Sequence, residues 1–157
     1  MNEIVETEHN EEPYLVVHKN KTIEQWFDYF LCDMPSPKDT GNLIAHTTNL
    51  SKLLNESTRY YNETMYYIND LGSKIEEKRN SLFAEKTADK KAAAFKITAV
   101  RKEIELEIGD STKLLEDLVF EKNFWLDIRD TLKTQITILT QASILTSHNR
   151  KLTESTI

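Results

Sequence analysis

Apolar residues recur every seven positions along two long stretches of this chain, and that spacing restricts the fold more than any other feature. In the first stretch Leu54, Tyr61, Ile68, Ile75 and Leu82 form one series; Leu43, Leu50, Ser57, Thr64 and Leu71 form its companion four residues ahead. In the second, Leu118, Trp125, Leu132 and Leu139 recur, with Leu114, Ile128, Gln135 and Ala142 in the companion positions. Leu115, Ile136 and Ile144 widen that second stripe. Two core positions per heptad is the pattern of helices packed on helices. The spacing therefore predicts one long helix over 43–86 and another over 111–148, the latter roughly 55 Å long at the rise of an α-helix. Three glycines and three prolines in 157 residues leave little punctuation for many turns.

The fold class expected is mainly α: two long amphipathic helices as a helical hairpin or coiled coil, with a short N-terminal helix. Two such stripes bury each other incompletely, which points to a homo-oligomer whose further copies complete the core. The companion series in the first helix is the weaker one, with Ser57, Thr64 and then Lys78 where an apolar residue is wanted. Gly72 costs roughly 1 kcal/mol relative to Ala inside a helix, which leaves room for a local kink near the start of the basic island.

Taken in order, residues 1–21 read as an acidic, largely disordered tail. Within it Tyr14-Leu15-Val16-Val17 is a short apolar run, suited to an edge strand or to lying on a helix. A single helical domain then spans 22–148. Thr22 is a good N-cap, and Ile23, Trp26, Phe27, Phe30 and Leu31 follow at helical spacing, giving a short helix over 22–32. That aromatic face suits either a docking helix over the core or a hook for a partner protein. A Pro-containing linker fills 33–42, and a variable charged segment fills 87–110. In that segment Phe95, Ile97 and Ala99, then Ile104, Leu106 and Ile108, alternate with polar residues. The alternation is compatible with a small β-hairpin at about 95–108 and equally with continuing helix. Asp110 or Ser111 is the expected N-cap of the last helix, and residues 149–157 read as a frayed tail.

Charge is distributed unevenly. Between residues 74 and 102 nine cations, Lys74, Lys78, Arg79, Lys86, Lys90, Lys91, Lys96, Arg101 and Lys102, meet four acids, so this island carries +5 in a chain of net charge −6. An anionic partner would be held there. Tyr60, Tyr61, Tyr66 and Tyr67 precede the island; rings so placed either stack on bases or pack between helices.

Enzymatic chemistry finds no foothold. The four histidines at 9, 18, 46 and 148 form no ligand spacing, and three glycines build no phosphate loop, so neither a metal nor a cofactor is expected. The single cysteine, Cys32, closes no internal disulfide, and it reads as a small buried hydrophobe. The acidic start lacks a secretory h-region and no apolar run reaches about 18 residues, so the expectation is a cytoplasmic protein with no membrane contact.

The order of short helix, Pro-containing break, basic helix, charged middle and capped long helix resembles the UvsY recombination mediators of T-even and related phages. The resemblance is carried by Thr22-Ile23-Glu24-Gln25, by Leu50 through Tyr61, by Lys78-Arg79 leading into Leu82-Phe83, and by Phe124-Trp125 within 110–136. It covers about residues 22–148. Phe83-Ala84-Glu85 stands where the family often has Tyr-Tyr-x-Gly. The resemblance implies a non-enzymatic protein, in the host cytoplasm if phage-encoded, that binds single-stranded DNA. It also implies assistance to a RecA-like recombinase in displacing single-strand-binding protein. Lys74, Lys78, Arg79, Lys86, Lys90, Lys91 and Lys96 would then hold the strand. Trp26, Phe27, Phe30, Tyr61, Ile68, Leu118, Trp125 and Leu132 would make partner or oligomer contacts. The alternative is a structural or assembly coiled-coil protein, scaffold- or chaperone-like, whose positive island neutralises its own acids.

Overall fold

The computed structural model describes residues 13–31, 40–88 and 94–154. Four helices follow one another: α1 (Ile23–Phe30), α2 (Thr40–Thr87), α3 (Ala94–Glu107) and α4 (Gly109–Glu154). α2 runs antiparallel to α3 and α4, which together form the second arm of a hairpin. The register is continuous: Leu43 meets Leu139, Thr64 meets Glu121, and Arg79 meets Glu105. The two long helices expected from the heptads are both present. α2 runs through Gly72 as one helix.

Over the first half of α2 the seam is not the series that reads as stronger. Leu43, Leu50, Leu53, Ser57 and Thr64 are buried there, with Ser57 and Thr64 fully so, and Ile75 of the other series is buried only further along. Leu54, Tyr61 and Ile68 are only partly covered. Large partners explain the reversal: across from these short side chains stand Trp125, Ile128 and Leu132 of α4, with Trp26 and Phe30 of α1 in the same cluster. A core at close-packed density alternates large with small residues across facing positions.

α1 docks on this cluster. Thr22 and Gln25 form a reciprocal capping box, which supplies two of the helix's orphan backbone donors with partners. Trp26 and Phe30 are buried, and the Trp26 ring stands edge-on to Trp125 at 5.3 Å. The Tyr29 and Tyr60 hydroxyls both donate to Glu56, tying α1 to α2. Residues 13–21, assigned to the tail by sequence, also lie on the core: Leu15 and His18 are buried, and an isolated bridge pairs Tyr14 with Thr22. Residues 1–12 fall outside the described part.

The hairpin considered at 95–108 is helical instead; no strand occurs among the described residues. The same residues carry a period of four, Val100, Ile104 and Ile108, which as helix packs on Ile75, Leu82 and Phe83. An isolated two-stranded hairpin is marginal in water, whereas the helix buries Ile104 and Ile108 and leaves Leu106 outside. The helix also alters the expected cap. Ile108 N–H donates to the Ile104 carbonyl and Thr112 N–H to the Ile108 carbonyl, so helical bonding runs through the α3–α4 junction. Asp110 and Ser111 therefore lie within the first turn of α4 rather than ahead of it. At the other end α4 continues to Glu154, beyond the expected fraying point at 148.

Candidate nucleic-acid interface

The positive island is divided by its own fold. Folding α3 back onto α2 brings Glu103, Glu105 and Glu107 beside the cations of α2. Arg79 pairs with Glu105 at 3.0 Å and with Glu76; Lys86 lies 2.7 Å from Glu107 and 3.4 Å from Glu103. Lys74 pairs with Asp70 one turn back at 2.6 Å. Each cation is held above its ordinary pKa range, Arg79 chiefly by Glu105, Lys86 by Glu107 and Lys74 by Asp70. Exposed pairs of this kind stabilise little, but they reduce the field each cation offers to a phosphate.

The remaining cations are differently placed. Lys78, Lys96, Arg101 and Lys102 are exposed, and none has an ion-pair partner among the described residues. Lys90 and Lys91 lie outside the described residues, as does Cys32. Between α2 and α3 a groove of about 520 Å³ is lined by Arg79, Asn80, Phe83, Arg101, Ile104 and Glu105. That volume lies within the range of small-ligand pockets. One aromatic ring, one amide and two guanidinium groups are the chemical types that engage a base and its phosphate.

The tyrosines separate into two pairs. Tyr60 is in the aromatic core, 4.9 Å from Trp125, and Tyr61 lies under the Arg129 guanidinium at 4.7 Å. Tyr66 and Tyr67 point outward, with Tyr66 68% exposed, and meet edge to face at 5.8 Å. Of the residues expected at partner contacts, Trp26, Phe30, Leu118, Trp125 and Leu132 are buried within this chain. They close its own core, so their rings and methyls are unavailable to another protein while α1 is docked. Phe27 remains 39% exposed, resting on Phe124 at 5.1 Å, and Ile68 is half-buried beside Gly72.

The most constrained polar site was not foreseen. Glu121 on α4 is fully buried. Its carboxylate accepts from the Val16 and Val17 amides at 2.7 and 2.8 Å, and from the His18 amide at 3.2 Å. His18 Nδ1 lies 2.6 Å from the same carboxylate and Nε2 lies 2.9 Å from Glu63 of α2. The Thr64 hydroxyl and Trp125 indole N–H stand 3.4 Å away. Burial alone would raise the carboxyl's pKa. The bond from His18, the Val17 amide, the Trp125 indole and the charge on His18 outweigh it and hold the group below its ordinary range. A signal was available in the sequence: position 121 falls between Leu118 and Trp125 on the apolar stripe, where a carboxylate needs a buried partner.

Among the described residues no three His, Cys, Asp or Glu side chains converge as metal ligands, and no helix is long and apolar enough to cross a membrane. No family model, curated protein or solved structure matches this chain.

Proposed function

We propose that this protein is a non-enzymatic helical mediator that binds single-stranded DNA along the α2–α3 arm and helps a RecA-like recombinase onto strands coated with single-strand-binding protein. The observation that supports strand binding is the set of exposed cations without ionic partners among the described residues, Lys78, Lys96, Arg101 and Lys102, of which Arg101 lines the groove containing Phe83. Phosphates bind fixed or steerable cations, and an adjacent aromatic adds sequence-tolerant stacking of about 1–3 kcal/mol per base. The recombinase and single-strand-binding protein enter through the resemblance to UvsY mediators alone. The test is titration of a fluorescent oligo(dT) across a salt series, on a sample whose mass is fixed by light scattering. Binding should weaken with salt at a slope of about −0.7 per neutralised phosphate. Absence of binding at low salt refutes the reading. For a sample that binds, shortening of the recombinase lag on coated DNA separates a mediator from a general strand binder.

A specific observation favours the second reading, an assembly protein without nucleic acid. At the open end of the hairpin Ile44, Ile138, Ile144, Leu145 and Leu152 are each at least half exposed. Such an apolar edge marks a protein contact, and the neutralised cations Lys74, Arg79 and Lys86 agree with a structural role. Several copies per particle, combined with no affinity for oligo(dT), would select this reading.

A further inference from the structure

Residues 13–22 cross the aromatic core as a strap. The Ile23 amide donates to the Pro13 carbonyl at 3.0 Å, closing the strap on itself. The Trp26 indole donates to the His18 carbonyl at 3.0 Å, fastening it to α1. Its polar attachment to the long helices centres on Glu121, with His18 also reaching Glu63.

Both ring nitrogens of His18 face carboxylate oxygens, Glu121 from α4 and Glu63 from α2. A neutral imidazole has one N–H and one lone pair, so it satisfies only one of these acceptors. The doubly protonated ring satisfies both and supplies the countercharge of a fully buried carboxylate. The other titratable groups nearby alter this little. Tyr60 lies against the ring at 4.4 Å, and Arg59 reaches Glu63 at 3.7 Å from an exposed position. We propose that residues 13–22 form a proton-controlled strap over the Trp26–Trp125 aromatic box, closed when His18 carries its second proton and opened when it loses it. On deprotonation one nitrogen presents its lone pair to a carboxylate. Glu121 cannot retreat to water; the amides of Val16, Val17 and His18, with the more distant Thr64 hydroxyl and Trp125 indole, still reach it, but the positive charge that balanced it is gone. Burial opposes the charged ring, yet its bonds to Glu121 and Glu63 prevail and place its titration above the ordinary imidazole range. This inference is independent of any nucleic-acid role.

The chain reports on itself, because its only two tryptophans, Trp26 and Trp125, lie under the strap at 2% and 0% exposure. Acrylamide quenching of their fluorescence should be weak below the ordinary imidazole range and rise several-fold as pH climbs through the raised His18 value, with unchanged helical circular dichroism. Replacing the other three histidines together (His9→Gln, His46→Gln, His148→Gln) should leave that curve unaltered. His18→Gln should show strong quenching throughout and no pH dependence. Glu63→Gln, at a half-exposed position tolerant of change, should move the midpoint to lower pH. A flat curve in the parent, or its loss in the triple-histidine variant, overturns the proposal. So does an unmoved midpoint in Glu63→Gln, which decides the matter even where His18→Gln fails to fold.

Discussion

His18 Nδ1 and the fully buried Glu121 carboxylate stand 2.6 Å apart, joining a segment outside the heptads to the centre of the long-helix seam. The pair lies across 103 positions of sequence, and Trp125, Tyr60 and Trp26 pack around it. One charged contact thus fixes where the N-terminal segment lies, which aromatic rings are covered, and which face of α1 meets the core.

Truncation of Glu121 should be among the most damaging single changes in the chain. Glu121→Ala strands three backbone donors, the buried one at His18 and the part-buried ones at Val16 and Val17. Breaking a buried charged pair by removing one partner costs about 3–5 kcal/mol, against a total stability of about 5–15 kcal/mol for a domain. Thermal denaturation should fall by about 10 °C or more. A shift of only a degree or two would mean that water replaces the lost contacts.

The same pair sets a pH optimum for stability. The Glu121 pKa is depressed, so its contribution is present above the ordinary carboxylate range and is lost as pH falls through the depressed value. The His18 pKa is raised, so its contribution is full below the ordinary imidazole range and is lost as pH rises through the raised value. Urea midpoints should therefore peak between the two, on the mildly acidic side of neutrality. Glu121→Gln should flatten the acid limb. A midpoint that climbs steadily through neutrality and beyond would contradict this assignment.

These residues also show where sequence reading stops. The heptads at Leu50, Leu118, Trp125 and Leu132 announce two packed helices because periodicity is local. Which of two candidate stripes forms the seam is not local. Ser57 and Thr64 read as flaws in a core until Trp125 is placed opposite them. Likewise Arg79 and Lys86 read as open cations until α3 turns back and sets Glu105 and Glu107 beside them. The 95–108 segment was ambiguous because it contains both period two and period four. The neighbouring Ile75 and Leu82, which reward only the second, belong to another helix.

Gly72 offers a route to greater stability. It lies in the middle of α2 with helical backbone, and an added Cβ there would meet nothing within 4 Å. Gly72→Ala should stabilise the protein by about 0.5–1 kcal/mol through helix propensity and a less disordered unfolded chain. An unchanged or lower denaturation midpoint would show that α2 needs a bend at this point in solution.

Strand binding should depend on which cations are free rather than on how many there are. Lys78→Ala with Arg101→Ala removes two exposed cations and should reduce the salt slope for oligo(dT) by about 0.7 for each lost phosphate contact. Lys86→Ala should change it far less, because that ammonium already sits between Glu103 and Glu107. Equal losses from both variants would place the strand directly over the α2–α3 ion pairs.

Self-association should depend on the open end of the hairpin rather than on the aromatic core. Trp26, Phe30, Trp125 and Leu132 are already covered, while Ile44 and Ile144 flank a groove floored by Leu43 and Leu139. Covering large exposed aliphatic side chains is favourable by about 25 cal/mol per Å² of apolar surface. Light scattering at micromolar concentration should report several copies per particle. Replacing Ile44 and Ile144 together with Ser should reduce that mass without loss of helical signal, since neither side chain supports the core of its own chain. A parent protein that runs as a clean 18.3 kDa monomer would remove the assembly surface. A double variant that keeps the parent's mass would place the contact on another face, with Tyr66, Tyr67 and Leu106 the next exposed group to change.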